Sequence, residues 1–194
     1  RTVIESQVTI VCGDTGCGKT HMVNFISSCL LGDEFRCFTL HAGVTVEQFV
    51  RKMVQYFELA RDLATSGEKN NMLKPRQLWI LVDEFNTSYL QPLLAELINQ
   101  RTCSFDERID SVPENVIFVG CFNPFMIPDG AEQHQAKDEE IGFAVKDSSA
   151  ILSHKVFPVC DSLLSFLIDF GQLKPEDEEK YIEEMIKGWL EERT

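Results

Sequence analysis

Positive charge is scarce in this chain. Eighteen Lys and Arg stand against 31 Asp and Glu over 194 residues, a formal net charge of −13. A surface that tracks nucleic-acid phosphates needs the opposite balance, so no nucleic-acid partner is expected and a DNA-linked motor is disfavoured. No apolar run approaches the ~20 residues of a membrane-spanning helix, and no signal peptide stands at the start, so no transmembrane segment is expected. Seven cysteines include no C-x-x-C pair, and the four histidines (His21, His41, His134, His154) lack metal-ligand spacing, which argues against structural zinc. Low-complexity tracts and repeats of 20–50 residues are missing too. Between Pro124 and Glu192 there is no Arg. An initiator Met is lacking at Arg1, so the expectation is a segment of a longer protein.

What is present starts with composition. Hydrophobic residues make up 44% and charged residues 25%, enough for one sizeable core and one domain, with room for a small appended subdomain. Cys12, Cys29, Cys37 and Cys121 lie in apolar runs and read as reduced, buried small hydrophobes of an intracellular protein, hence a cytosolic location.

The stretch that organises the rest is Gly13-Asp14-Thr15-Gly16-Cys17-Gly18-Lys19-Thr20. It matches G-x-x-x-x-G-K-[ST], follows the β-rich run Val8–Cys12 and opens a helical pattern from Lys19 to Leu31. Glycines let the backbone curl until successive N–H groups point into one concave nest, and the helix start adds its positive end. A phosphate fits there, with Lys19 reaching the β- and γ-phosphates and the Thr20 hydroxyl on Mg²⁺. Cys17, inside the loop, is a spacer or an oxidation-sensitive thiol.

Two further runs end in polar residues. Leu78–Val82 reads as a strand buried on both faces and ends in Asp83-Glu84; Val116–Cys121 is similar and ends in Phe122-Asn123-Pro124. In an open parallel sheet, ligands bind beyond the carboxyl ends of the strands. Asp83, Glu84 and Asn123 are therefore expected on the same edge as the Gly13–Thr20 loop. There Asp83 would support the metal, Glu84 would activate a water, and Asn123 would hold that water or touch the γ-phosphate. The alternatives are two solvated acids at a strand end and a turn-forming Asn before Pro.

The remaining pattern predicts several elements. The helix after the loop carries Met22, Val23, Phe25, Ile26, Cys29 and Leu30 as a wide buried stripe, with Gly32 as C-cap. Arg36–His41 reads as a strand. Thr45 and Gln48 form a capping box for a helix with Phe49, Val50, Met53, Val54, Phe57 and Ala64 as core. Ser66–Pro75 is a loop, Thr87–Gln100 a helix, Arg101–Glu114 irregular, and Met126–Ser149 weakly patterned. Lys155–Val159 is a fifth-strand candidate, Asp161–Phe170 a short helix closed by Gly171, and Pro175 starts a last helix. The acids Glu176, Asp177, Glu178 and Glu179 complement that helix's dipole rather than forming a metal site. Strands alternating with helices give an α/β fold with a mostly parallel sheet flanked by helices.

Gly13–Thr20, Asp83-Glu84 and Asn123, in that order, resemble Walker A, Walker B and sensor 1 of the AAA+ ATPases, a P-loop NTPase family. The Asn-Lys-x-Asp pattern of guanine readers is absent. His41-Ala42-Gly43-Val44-Thr45, Val82–Thr87, Cys121–Pro124 and the tail from Val156-Phe157-Pro158 through Leu167–Gly171 to Asp177–Ile182 are similar to the AAA+ modules of the mysterin family, giant RING-type ubiquitin ligases with a dynein-like series of such modules. The resemblance covers most of the chain. It implies ATP and Mg²⁺ as cofactors, an AAA+ large subdomain over residues 1–171, and the start of a helical lid, cut short, over 172–194. It further implies ATP binding and hydrolysis that drives conformational change or assembly, neighbouring AAA+ modules of the same parent chain as partners, and a link to the ubiquitin machinery whose ligase chemistry lies outside this segment. Adenine selectivity rests on the resemblance alone. The rival reading is an ATP-gated structural module without significant hydrolysis. The chain departs from the family in having no Arg for a finger or a lid sensor after Pro124, only Lys137, Lys146 and Lys155 in the usual finger region, leaving Arg101 or Arg108 as substitutes.

Overall fold

The computed structural model describes residues 8–69, 76–105, 108–123, 156–171 and 174–191. Apolar runs carrying β-branched residues become the strands β1 (Val8–Cys12) and β3 (Leu78–Asp83), and the mixed polar and aromatic stretch Glu34–Thr39 becomes β2. An antiparallel hairpin follows, β4 (Thr102–Phe105) and β5 (Arg108–Ser111), and then β6 (Val116–Phe122) and β7 (Leu167–Asp169). Five of these form one sheet in the order β2-β3-β6-β1-β7, with every pair parallel. Register places Val11 beside Cys121 and Asp83 beside Cys121, so β1, β3 and β6 end together.

Parallel strands need crossovers, and helices supply them. Lys19–Asn24 (α1) leaves the glycine loop and runs on as a π-helical turn, Phe25–Leu30. Buried Ser27 sits at that change, its hydroxyl donating to the carbonyls of Val23 (2.8 Å) and Asn24 (3.1 Å) and so competing with the helix's own ladder. Gly32, at φ +70°, ends it as expected. The capping box forms as expected: Gln48 N–H donates to Thr45 Oγ1 (3.2 Å) and Thr45 N–H to Gln48 Oε1 (3.0 Å). It starts α2 (Val46–Lys69), which takes in the first residues expected of the 66–75 loop. A 3₁₀ turn (Phe85–Thr87) precedes α3 (Gln91–Gln100), so the single helix expected over 87–100 is two elements. Two helices remain, α4 (Asp161–Leu164) and α5 (Pro175–Glu191).

Several expectations are corrected. The second strand lies two residues earlier than Arg36–His41. The 101–114 stretch is not irregular but holds the hairpin. Residues 156–159 are in no strand; the fifth strand of the sheet is β7, inside the stretch expected as one helix. The weakly patterned 126–149 stretch lies outside the described residues.

The core is unequal on the two faces. On the α2 and α3 side, Phe49, Met53, Phe57, Leu94 and Leu97 pack with Ile10, Leu78, Ile80 and Phe118, all fully buried. On the α1 side the buried set is Val11, Val23, Leu81, Val119 and Cys121, with Phe35, Trp79, Ile117 and Phe170 half-buried beside it. The wide stripe expected on this helix is only partly buried: Val23 is covered, but Phe25 and Leu30, in the π-helical turn, are 48% and 64% exposed. Periodicity fixed which residues share that stripe, not what covers it. Cys29 and Cys37 are likewise exposed rather than buried, while Cys121 is buried as expected; all are free thiols.

Candidate functional site

Glycine chemistry shapes the loop after β1. Gly16 and Gly18 sit at φ +84° and +85°, where a side chain is strained. A Cβ on Gly13 would lie 2.9 Å from Phe170 Cβ and 3.1 Å from Cys17 Sγ, so the turn closes only around hydrogen. Phe170 N–H donates to Cys12 carbonyl at 2.7 Å, which pins the end of β7 against the base of the loop.

Lys19 is 7% exposed despite its charge. Its ammonium donates to the carbonyls of Gly13 (2.7 Å) and Asp14 (2.8 Å) and to Asn123 Oδ1 (3.0 Å), which satisfies a buried cation without an ion pair. Cys17 Sγ lies 3.7 Å from the same nitrogen. One residue on, Thr20 Oγ1 donates to Asp83 Oδ2 at 2.9 Å, while Asp83 Oδ1 accepts from Glu84 N–H at 3.0 Å. The aspartate is thereby fixed at both oxygens.

Glu84 stands just past β3 in the left-handed region, φ 55°. A non-glycine residue there costs of order 1–3 kcal/mol unless its surroundings impose it. Here they do: Thr87 donates to Glu84 carbonyl through both its N–H (3.0 Å) and its hydroxyl (2.9 Å). The turn leaves the Glu84 side chain exposed at the mouth of the cleft. Asn123 directly follows β6, and its carbonyl accepts from buried Asn86 Nδ2 at 2.9 Å.

Thr15, Gly16, Gly18, Lys19, Thr20, His21, Asp83, Glu84 and Asn123 line one open cleft of 310 Å³. The fold thus brings the predicted residues to one sheet edge. Gly13, Asp14 and Cys17 belong to the loop without lining the cleft. His21 does line it and was not anticipated; only its place one residue after Thr20 could have signalled it. Asn86 was also missed as a site residue, because a buried Asn in a turn has no motif of its own.

Thr20 and Asp83 offer hard oxygen donors side by side, the chemistry Mg²⁺ takes together with phosphate oxygens and water. Among the described residues no group of three or more His, Cys, Asp or Glu is arranged to hold a metal, so such an ion would need the phosphates to complete its shell. Behind the site, burial, with Asp83 adding to it, pushes the Cys121 thiol up to about 12. Burial also raises Cys12, with Asp169 second.

Arg101 is not a free finger. At φ 52° it ends α3, donates through Nη2 to the carbonyls of Pro113 (2.7 Å) and Val116 (3.3 Å), and is partly desolvated, which lowers its pKa. Its side chain clamps the base of the β4–β5 hairpin. The side chain of Arg108 lies outside what is described.

A parallel sheet ordered β2-β3-β6-β1-β7, a glycine-rich phosphate loop after β1, and an acidic pair after the adjacent strand but one define a P-loop NTPase fold. No protein-family model matches the chain. It is similar to the E3 ubiquitin-protein ligases RNF213, also called mysterin: 25% identical over 195 residues to rnf213-beta of Danio rerio, covering 92% of this chain. Identity to RNF213 of Homo sapiens is 22% over 200 residues (94% of this chain), and to that of Mus musculus 23% over 192 residues (92%). The chain spans about 4% of the length of each of these relatives. A crystal structure of a candidate ATPase from Cytophaga hutchinsonii superposes with a TM-score of 0.48 at 15% identity, over 93% of this chain and 47% of the other. Among the described residues, no helix is long and apolar enough to cross a membrane.

Proposed function

We propose that this AAA+ module binds ATP with Mg²⁺ and hydrolyses it. The observation that carries the reading is the convergence of Lys19, the Thr20–Asp83 pair, Glu84 and Asn123 on one cleft. Gly13 to Thr20 cradle the phosphates with backbone N–H groups, and Lys19 exchanges its loop carbonyls for phosphate oxygens. Thr20 and Asp83 would hold Mg²⁺, which would supply charge neutralisation at the phosphates. Glu84, exposed at the cleft mouth, takes a proton from the attacking water, and Asn123 orients that water. Asp83 and Glu84 divide the work because Asp83 is tied to Thr20 at the end of β3, while the left-handed turn leaves Glu84 exposed at the cleft mouth.

Similarity to RNF213 supports a wider reading: a module of a giant cytosolic ubiquitin ligase, beside other AAA+ modules, whose ATP turnover drives conformational change or assembly. Residues 1–171 then form the large subdomain and α5 begins a helical lid, with Tyr181, Ile182, Ile186 and Leu190 exposed on that helix. The rival is an ATP-gated structural module. It is favoured by the lack of Arg from Pro124 to Glu192 and by the structural use of Arg101.

Glu84→Gln in the full-length protein decides between them. The hydrolysis reading expects ATP still bound and turnover down about 100-fold. Unchanged turnover with ATP bound leaves only the structural role for this module.

A further inference from the structure

Asn86 is 3% exposed and joins three pieces of chain. It sits in the 3₁₀ turn directly after Glu84. Its side-chain amide donates to the main-chain carbonyl of Asn123 at 2.9 Å, and its own carbonyl accepts from Phe157 N–H at 2.7 Å. Asn123 in turn places Oδ1 3.0 Å from Lys19 Nζ. A chain of hydrogen bonds therefore runs from the 156–160 segment through the turn that carries Glu84, across to the end of β6, and into the phosphate loop.

The peptide at Asn123 needs that support. β6 ends at Phe122, and among the described residues the strand pairing stops there too. A residue at a strand end keeps one side-chain direction only if its backbone is held, and the Asn86 amide holds it. The donor is buried and charge-free, so it fixes geometry without adding to the field in the cleft.

We propose that Asn86 is a positioning residue for nucleotide sensing: it sets Asn123, and through it the water and γ-phosphate contacts, and it couples the 156–160 segment to them. This rests on the hydrolysis reading for its kinetic part, while its binding part stands apart from hydrolysis. The prediction is a loss of discrimination rather than of binding.

The test is a double-mutant cycle in the full-length protein, using Asn86→Ala, Asn123→Ala and the pair, with thermal melting to establish folding. Asn86→Leu, which keeps the volume and lacks the donor, serves if the alanine variant unfolds. Two readouts are taken, ATP and ADP affinities and single-turnover hydrolysis. Asn86→Ala is expected to slow hydrolysis about tenfold, the worth of one well-placed hydrogen bond, and to shrink the ATP-over-ADP preference, with ADP affinity within about threefold. The pair should fall no further than Asn123→Ala alone. Additive effects, or an unchanged ATP-over-ADP preference, overturn the proposal. A wild type that distinguishes ATP from ADP yet turns over none sinks the hydrolysis reading, and the affinity cycle still decides on Asn86. Failure to bind either nucleotide overturns both.

Discussion

The two faces of the sheet do different work. The α2 and α3 face buries large aromatic and aliphatic side chains completely. The α1 face buries five small or medium residues and leaves Phe25, Leu30 and Leu31 exposed. Yet the phosphate loop and Lys19 hang on α1. Stability and chemistry are thus carried on opposite sides, and a site resting on the thinner layer can shift without unfolding the thicker one.

The contrast can be broken by substitution. Phe57→Ala, in the thick layer, should lower unfolding free energy by about 3–5 kcal/mol, read by urea denaturation. Val23→Ala, its counterpart under α1, should cost only about 1–2 kcal/mol but move nucleotide affinity as well, since it loosens the helix that presents Lys19. Equal costs on the two faces would end the distinction.

Alkaline titration sharpens it further. The Cys121 thiol, on the α1 face, is raised to about 12 in the folded protein, against an ordinary value near 9. Between those values the unfolded chain has lost a proton that the folded one keeps. Stability from this group is therefore full below pH 9 and falls as pH rises toward 12, by at most about 1.4 kcal/mol per unit. Cys121→Val should flatten that slope in denaturation series at pH 8 to 11. The smallest effect is expected at Leu30→Ser: at 64% exposure it should change stability by no more than about 0.5 kcal/mol, and a larger loss in melting experiments would mean the α1 surface is covered in solution.

How much of this was legible in the sequence depended on the range of the forces involved. β1, β3 and β6 could be read closely because their apolar runs are long and stop at Gly13, Asp83 and Asn123. The capping box needed only Thr45 and Gln48. Lys19, Asp83, Glu84 and Asn123 could be placed on one edge because parallel strands end together. The hairpin was hidden because Thr102–Ser111 is polar and its geometry hangs on Arg101, whose side chain and carbonyl meet Pro113, Val116 and Val112 across the fold. β7 was hidden because Leu163, Leu164, Leu167 and Ile168 have helical spacing; pairing of Leu167 with Ile10 overrides it. Asn86 and His21 acquire their places only from tertiary structure.

The strand order has a consequence for biosynthesis. Among the described strands of this segment β1 is translated before both of its partners, β6 and β7: Val8 meets Phe118, and Ile10 meets Leu167. The phosphate loop therefore follows a strand whose described partners lie more than 100 residues further along this segment. Such non-local pairing is slow, so a nascent chain carries an unformed nucleotide site and an apolar Val8–Cys12 segment in search of an edge. The site therefore needs β1, β3 and β6 paired before Lys19, Asp83 and Asn123 can meet.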